Sequence, residues 1–561
     1  MRQAARSFLL ASAALLALVP AAGAREIYVA NSGSDSVSVI ETASNAAVAT
    51  IAVGSAPSDV AITPGGARAY VTNEADGTVS AIDVASRSAV GAPIGVGAEP
   101  RGIAIAPGGW RAYVANTGSD SVSVVDLARN TVVATIPLAA GAEPEGVAVA
   151  PNGASAFVAQ RGGDVAILST AGNSAIGAID TAAGLGPSRL SLVPDGTRGF
   201  VTNSNSSSVS IFNTASRAIH GTPLVVGTNP AGVAVNPAGP RTYVAAQSAD
   251  TVVAIDTASH HVVGSPIPGF ESPAAIAIAP DGARAYVSDE GSSTVTILDT
   301  LSNFGAGKIG VGAAPRGLAV VPNQGPFASF AIPTGVVKAE QATRFDASTS
   351  FDPDGPIASY AWDFGDGDGE GEVGVGPVAE HVYAKPGTYV ATLRVTDAEG
   401  CSQARVFTGQ TVSCNGSGAA IAIARIEALD VTAPSFRLFA KARQPLRRFV
   451  VATARCPQER CRALARGYLR SAFRAAKRKV RGKGRTRPAR RALGAGVPRR
   501  IKLRLPGRAF KAARRALARR GSARVRVVAV GRDAAGNRQV RKATVRLFER
   551  RARKKRGKRR R

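Results

Sequence analysis

Short segments of alternating apolar and polar residues, each bounded by Gly, Pro, Asp or Asn, run through the chain as far as about residue 325. In one representative stretch, the apolar run Val60–Ile62 leads through a Gly-rich turn to Ala69–Asn73, and a second turn leads to Val79–Asp83. Short runs of this kind between turn residues are typical of antiparallel β-strands. The pattern therefore predicts an all-β structure made of hairpin-connected strands.

The same strand pattern recurs at a nearly constant interval. An aromatic residue marks one strand of each unit, and a proline opens another. The aromatic positions are Tyr28, Tyr70, Tyr113, Phe157, Phe200, Tyr243 and Tyr286, and the prolines are Pro57, Pro100, Pro144, Pro187, Pro230, Pro273 and Pro315. A period of about 43 residues with four strands in each unit is the signature of a β-propeller. We therefore predict a propeller of seven blades.

The two ends of the repeated region are complementary. The series begins on an aromatic strand, Ile27–Asn31, and ends on a proline-led strand, Pro315–Pro322. Pairing these strands in one shared blade closes the ring and leaves only short, protected sheet edges. We predict this closure.

The motifs Tyr70-Val71-Thr72-Asn73 and Phe200-Val201-Thr202-Asn203 resemble the signature of the YVTN family of seven-bladed propellers. The resemblance covers about residues 25–325. It implies the fold, but a propeller is a scaffold on which both binding and catalysis have been built.

A different pattern follows over residues 326–415. Phe345-Asp346-Ala347-Ser348, Trp362-Asp363-Phe364-Gly365-Asp366-Gly367 and the alternating strand Val390–Asp397 resemble a PKD domain, an immunoglobulin-like module of surface and secreted proteins. The resemblance implies a β-sandwich, with Trp362 and Phe364 on one side of a strand. Its aspartates have two interpretations, calcium ligands or turn caps, and we favour turn caps. These residues are Asp352, Asp354, Asp363 and Asp366.

Positive charge is concentrated at the C-terminal end. The net charge is +30, yet after Lys441 the only acidic residues are Glu459, Asp533 and Glu549. The pattern over residues 420–549 predicts a basic Ig-like domain with a helical run over 509–520 and a final hairpin. We expect residues 550–561 to form a basic disordered tail. We expect the Arg-rich insert 474–491 to be mobile, because dense like charges resist packing.

This charge favours electrostatic attachment to anionic partners: cell-envelope polymers, lipid headgroups or, without sequence preference, nucleic acid. Isolated aromatic residues offer no base-stacking platform, so specific nucleic-acid recognition is not expected. A compositional bias toward arginine on solvated surfaces explains the same residues equally well.

The N-terminal residues 1–24 have a positively charged start, an apolar middle and the small-residue site Ala22-Gly23-Ala24. This pattern predicts a signal peptide that is cleaved on export. A membrane anchor is the alternative. In an exported chain an even number of cysteines predicts disulfides. A zinc site is the less favoured interpretation. The expected pairs are Cys401 with Cys414 and Cys456 with Cys461.

Charged residues follow several of the blade-opening prolines, where we expect them to surround the mouth of the central channel. They are Asp59, Arg101, Glu145, Arg189 and Arg316. They either bind an acidic or sugar-like ligand or pair with one another, and we favour pairing. With only four histidines and no Gly-x-Ser-x-Gly motif, we expect no cofactor and no enzymatic activity. The sequence predicts an exported surface protein that binds glycans or other proteins; an envelope hydrolase or lactonase is the alternative.

Overall fold

The computed structural model describes residues 25–548, except 182–184, 332–336, 368–371, 375, 408–411, 431–435, 446, 448, 457–460, 476–477, 487, 494, 496–497, 520–521, 534 and 536. The predicted signal peptide and the tail 550–561 lie outside the described residues. The structure is all-β, as predicted, with one α-helix among the described residues.

Seven antiparallel sheets form the blades, and each begins with a proline-led strand. Blades A to G are named in chain order by their aromatic strand. Blades A, C, D and G have four strands each: Pro315–Val320, Glu26–Asn31, Ser36–Glu41 and Ala46–Ala52 in A; Pro100–Ile105, Arg111–Asn116, Ser121–Asp126 and Thr131–Pro137 in C; Pro144–Val149, Ser155–Gln160, Asp164–Ser169 and Ser174–Asp180 in D; and Pro273–Ile278, Arg284–Asp289, Thr294–Asp299 and Phe304–Gly310 in G. Blades B and E have five strands each: Pro57–Ile62, Arg68–Asn73, Thr78–Asp83, Ser88–Ala89 and Ile94–Gly95 in B; and Pro187–Leu192, Arg198–Asn203, Ser208–Asn213, Ala218–Ile219 and Leu224–Val225 in E. Blade F has the strands Pro230–Val235, Arg241–Ala246 and Thr251–Asp256.

The predicted ring closure is confirmed. Glu26–Asn31 pairs antiparallel with Pro315–Val320, so the first and last strands of the repeats share blade A. Each proline-led strand contacts the proline-led strand of the next blade all the way around the ring. These strands therefore line the central channel.

The repeated residues have repeated structural roles. The buried hydroxyl of Tyr70 donates to the backbone carbonyl of Leu127 and to Asn130 Oδ1 in the next blade, and so ties neighbouring blades together. Asn73 Nδ2 donates to the Thr78 and Ser80 hydroxyls, both at 2.9 Å, within its own blade. Because a buried amide must be hydrogen-bonded, this pairing explains why the adjacent strand alternates polar and apolar residues.

Small residues occupy the third position of most proline-led strands, because neighbouring strands approach closely there. A Cβ atom on Gly102 would lie 2.4 Å from the backbone oxygen of Glu145, and one on Gly146 would lie 2.5 Å from that of Ser188. The glycines thus allow a narrow channel.

The module after the propeller contains the strands Asn323–Gln324, Ala342–Asp346, Ile357–Asp363, Glu372–Gly374, Val378–Val382, Gly387–Asp397, Arg405–Phe407, Val412–Asn415 and Ile421–Ala428. Buried aromatic rings form its core: Trp362 lies 5.0 Å from Phe330 and 5.7 Å from Phe345 and from Phe364. The predicted disulfide between Cys401 and Cys414 is present, with a Cα–Cα distance of 5.6 Å. Cys456 is also disulfide-bonded; the side chain of its expected partner, Cys461, is outside the described set.

The basic C-terminal domain contains the strands Arg437–Phe439, Arg443–Pro445, Phe449–Arg455, Cys461–Ala475, Arg478–Arg485, Ala489–Leu493, Arg499–Arg504, Ser522–Arg532 and Arg538–Phe548 and the helix Gly507–Ala518. The helix and the final hairpin agree with the sequence pattern. A six-stranded and a three-stranded sheet share one hydrophobic core with the buried helix residues Ala509 and Ala513.

The expectation that the Arg-rich insert 474–491 resists packing is wrong for its described residues. Arg478–Arg485 pairs with Cys461–Ala475, and Ala489–Leu493 pairs with the same long strand. Exposed arginines such as Arg485 and Arg490 extend into solvent. The charge therefore does not have to be buried for the backbone to pair.

The described chain forms two compact units. The first comprises the described residues of Met1–Ala331, Phe345–Ala379 and Ala391–Ala424, and the second those of Ile332–Arg344, Glu380–Val390 and Arg425–Arg561. The single helix described is too short and too polar to cross a membrane.

Candidate functional site

The five charged residues predicted at the channel mouth lie where the proline-led strands begin. Arg101, Glu145 and Arg316 each follow the opening proline directly. Asp59 and Arg189 stand one residue further along. The structure places Arg101, Glu145, Arg189 and Arg316 around one cavity at this end of the channel, whereas Asp59 lines the small space deeper in the channel.

The mouth residues form a continuous network of ion pairs. Glu74 accepts from Arg101 at 3.1 Å and from Arg316 at 2.9 Å, so it links two blades. Arg101 also pairs with Glu145, and Arg316 pairs with Glu290 at 3.2 Å. Of the predicted charges, Arg101 and Glu145 therefore pair with each other, whereas the partners of Arg316 are two carboxylates that were not predicted.

A further pair lies deeper in the channel. Arg189 Nη1 donates to Asp59 Oδ2 at 2.7 Å across the channel, and the backbone N–H of Val60 donates to Asp59 Oδ1 at 2.9 Å. Burial raises the pKa of Asp59, while the Arg189 guanidinium opposes that shift. This pair crosses the channel below the mouth.

Above the pair is a cavity of about 240 Å³. Its lining is largely polar and includes Ser188, Ser204, Asn229 and Gln247 besides the ion pairs. Four arginines line the cavity, Arg161 and the three already paired, and their carboxylate partners are Glu145 and Glu290 in the lining and Glu74 and Asp59 beside it. The cavity is therefore close to neutral and rich in hydrogen-bonding groups.

Residues that follow the propeller contact the other end of the channel. Ser413 lines a small space there, about 50 Å³, together with the apolar ends of the proline-led strands. Arg405 Nη1 donates to the Pro107 carbonyl at 2.6 Å. Arg25 forms buried ion pairs with Asp354 and Glu399. These described residues thus cover part of this end, opposite the charged mouth.

A YNCE-like β-propeller family model matches residues 3–324, more than half of the chain. The chain belongs to the YNCE-like β-propeller family. A PKD domain model matches residues 323–412, directly after this YNCE-like propeller. The predicted order of a propeller followed by a PKD domain is confirmed.

Two curated relatives are collagenases, and both matches are short. The chain is 43% identical over 61 residues to collagenase ColA of Clostridium perfringens and 44% identical over 66 residues to collagenase ColQ1 of Bacillus cereus. These matches cover 11% and 12% of this chain but only 5% and 6% of the collagenases.

Solved structures similar to this YNCE-like protein include Kuenenia stuttgartiensis hydrazine synthase, at 22% identity and a TM-score of 0.43, covering 47% of this chain and 89% of that one. A protein of unknown function from Desulfotomaculum acetoxidans has 17% identity and a TM-score of 0.46, covering 53% of this chain and 98% of that one.

Sequence reasoning missed half of the mouth of the YNCE-like propeller. Glu74, Arg161, Gln247 and Glu290 each follow the second strand of a blade, directly after the aromatic motif. Gln247 Nε2 donates to Glu290 Oε2 at 2.8 Å and so extends the network. One feature of the sequence could have identified these residues: this position varies from blade to blade, whereas the strand before it is uniform.

The structure shows the partners of the PKD-domain aspartates for which the sequence left calcium binding and turn capping open. Among the described residues, no three His, Cys, Asp or Glu side chains converge. Asp354 pairs with Arg25, Asp352 Oδ1 accepts from the backbone N–H of Asp354, and Asp363 Oδ1 accepts from that of Gly365. The partners seen for Asp352 and Asp363 fit turn caps, which is the interpretation we favoured; Asp366 also has a partner.

The histidines lie away from the mouth of the YNCE-like propeller. The rings of His220 and His260 are 4.7 Å apart in the segments that follow Ala218–Ile219 of blade E and Thr251–Asp256 of blade F, and Arg198 contacts His260 Nε2. Burial and the Arg198 guanidinium lower the pKa of His260. A neutral imidazole at this place accepts a hydrogen bond and packs against its neighbours.

Asp352 should make stability depend on pH. Burial and the adjoining Asp354 carboxyl raise the pKa of Asp352 to about 7, above its unfolded value of about 3.9. The folded state therefore holds the proton more strongly, and this stability, present below about pH 4, is lost as the pH rises through about 7. We expect Asp352→Asn to gain stability relative to wild type over that range. Urea midpoints of both proteins at several pH values check this, and a constant difference would contradict it.

Proposed function

We propose that this chain is an exported, non-enzymatic binding protein of the cell surface. In this proposal the YNCE-like propeller is the scaffold that binds glycans, peptides or other envelope proteins, and the PKD domain is a spacer or second adhesive module. The basic C-terminal domain attaches the chain electrostatically to anionic envelope polymers.

The contrast between two sets of arginines carries the proposal. At the propeller mouth, Arg101, Arg189 and Arg316 are each paired with a carboxylate. In the C-terminal sheet, Arg470 lies directly opposite Arg524 on the neighbouring strand. Like charges in this position destabilise a sheet, so a partner that supplies negative charge is favoured.

The side chains at the mouth support binding rather than catalysis. The carboxylates of Glu74, Glu145 and Glu290 are each engaged with arginines, which leaves fewer of their oxygens within hydrogen-bond reach of a substrate. What the cavity offers a ligand is a set of neutral donors and acceptors, from Ser188, Ser204 and Asn229. A small, uncharged polar ligand such as a sugar fits this lining, because it can hydrogen-bond without breaking the ion pairs.

Retention on isolated cell envelopes tests the attachment. The mature chain and a version lacking residues 441–561 are mixed with envelopes of the source organism across a salt series. We expect the full chain to sediment with the envelopes at low salt and to be released as salt rises, because screening weakens exposed charges. The truncated chain should remain in solution throughout. Equal retention of both at high salt would overturn the electrostatic attachment and assign envelope binding to the propeller or the PKD domain.

A further inference from the structure

The six-stranded sheet of the C-terminal domain has one apolar and one basic face. Along Ser522–Arg532, Val525 and Val527 are buried in the core, whereas Arg524 and Arg526 are exposed. The helix Gly507–Ala518 contributes to the core on the apolar side. The basic face is therefore the side turned to solvent.

Cations lie in rows across this basic face, because strand pairing places them directly opposite one another. Two such rows cross the sheet, one of Lys483, Arg470, Arg524 and Arg546 and the other of Arg462, Arg532 and Arg538. Opposed side chains in an antiparallel sheet have Cβ atoms roughly 5 Å apart. The face therefore presents closely spaced positive charge along defined lines.

At one end of the face these cations surround a groove of about 770 Å³, which we call the arginine groove. Leu464 and Val530, neighbours on adjacent strands, form an aliphatic floor. The rim carries five exposed arginines: Arg462, Arg490, Arg491, Arg532 and Arg538.

None of these five guanidinium groups has an ion pair with a carboxylate of the described residues. The propeller mouth shows the opposite arrangement, since its arginines are paired. The arginine groove is thus concave, with an apolar floor and five arginines that lack a carboxylate partner among the described residues. This is the chemistry of an anion-binding site in which the ligand supplies the negative charge.

We propose that the arginine groove binds a linear polyol phosphate, that is, an aliphatic chain joined by phosphodiester groups. This inference rests on the proposed attachment function and assigns it a site and a ligand class. Guanidinium groups hold phosphate through paired hydrogen bonds, and the row Arg462, Arg532 and Arg538 offers them in succession. The aliphatic floor suits the carbon backbone of such a chain.

Other polyanions fit the arginine groove less well. Among the described residues no aromatic side chain lines it, so nucleic-acid bases find no stacking partner there. Its concave shape does not match a flat lipid surface, which amphipathic elements contact with projecting apolar side chains. These ligands serve as the alternative outcomes of the test.

The experiment measures binding of the full mature chain to poly(glycerol phosphate) by fluorescence anisotropy. We expect Arg462→Gln with Arg532→Gln and Arg538→Gln to weaken binding roughly tenfold, because three exposed charge contacts are lost. The matched control carries Arg508→Gln, Lys511→Gln and Arg515→Gln on the exposed side of the helix, with the same change in net charge. The control variant should lose less than about twofold in affinity for poly(glycerol phosphate), since salt screens charges that lie far from the groove.

The free protein provides a second measurement. Since the groove variant removes a row of like charges, it should melt at the same temperature as wild type or higher. If it fails to fold, Arg490→Gln with Arg491→Gln on the strand Ala489–Leu493 replaces it. Equal weakening by the groove and control variants would overturn the inference, as would tighter binding of single-stranded DNA or of phosphatidylglycerol vesicles than of poly(glycerol phosphate).

Envelope retention separates this inference from the function on which it rests. If the groove variant stays on envelopes as well as wild type while the chain lacking residues 441–561 does not, the electrostatic attachment holds and the arginine groove is not its site. If neither change affects retention, the attachment itself is wrong.

Discussion

Trp362→Ala should cost the PKD domain about 4 kcal/mol of its free energy of unfolding, the range found when large buried aromatic residues are truncated. Trp362 is 1% exposed and forms the centre of the aromatic core. Its ring stacks on Phe364 with an interplanar angle of 6° and meets Phe330 edge-on. Among the described residues, the neighbouring rings of Phe330, Phe345 and Phe364 could fill the space that its removal would leave only by rearranging.

The chain supplies its own control, because it contains only two tryptophans. Trp110 is 53% exposed and lies under the Arg111 guanidinium at a turn of the propeller. We expect Trp110→Ala to change stability by less than about 0.5 kcal/mol. Scanning calorimetry of both variants should show a lowered transition for Trp362→Ala alone. Equal shifts would mean that the aromatic cluster does not hold the module together.

Gly102→Val should destabilise the propeller by about 3 kcal/mol, at the upper end for overpacking. The new Cβ atom would stand 2.4 Å from the Glu145 backbone oxygen and 3.0 Å from Gly146 Cα. Both atoms belong to the main chain of the next proline-led strand, so no side-chain rotation relieves the clash. The strands would have to separate, and in a closed ring that displacement affects every neighbouring blade.

Gly310→Val is the matched control for this substitution. Gly310 ends an outer strand, and a Cβ atom there would have no heavy atom within 4 Å. We expect its effect to stay below about 0.5 kcal/mol. Urea unfolding followed by far-ultraviolet circular dichroism compares the two variants. A midpoint for Gly102→Val equal to that of Gly310→Val would refute the close approach of the channel strands.

Repetition explains why so much of the propeller was predictable. Because the same strand recurs in every blade, the positions of Tyr28 and Pro315 were enough to predict the closing pair, and deviations from the repeat marked Arg101 and Arg316 as mouth residues. The partner of these arginines, Glu74, was not predicted, since an ion pair between blades depends on the rotation from one blade to the next.

Partners distant in sequence account for what the sequence did not predict. For the aspartates of the PKD domain it left calcium binding open beside the favoured turn caps, and it gave no sign that Arg25, 329 residues away, pairs with Asp354. For the basic insert we considered charge density without pairing geometry, and so did not predict that Lys483 and Arg485 would lie exposed on a paired strand. Both points concern long-range contacts, which local patterns do not contain.

The shared blade also sets the order of events during synthesis. Glu26–Asn31 is the first propeller strand to be made, but its inner partner Pro315–Val320 follows only after almost three hundred further residues. Until then the first strand has an open edge, and open edges of incomplete sheets promote aggregation. Non-local pairing of this kind is also slow. Propeller chains that are not yet long enough to close would therefore depend most on a chaperone that shields extended segments.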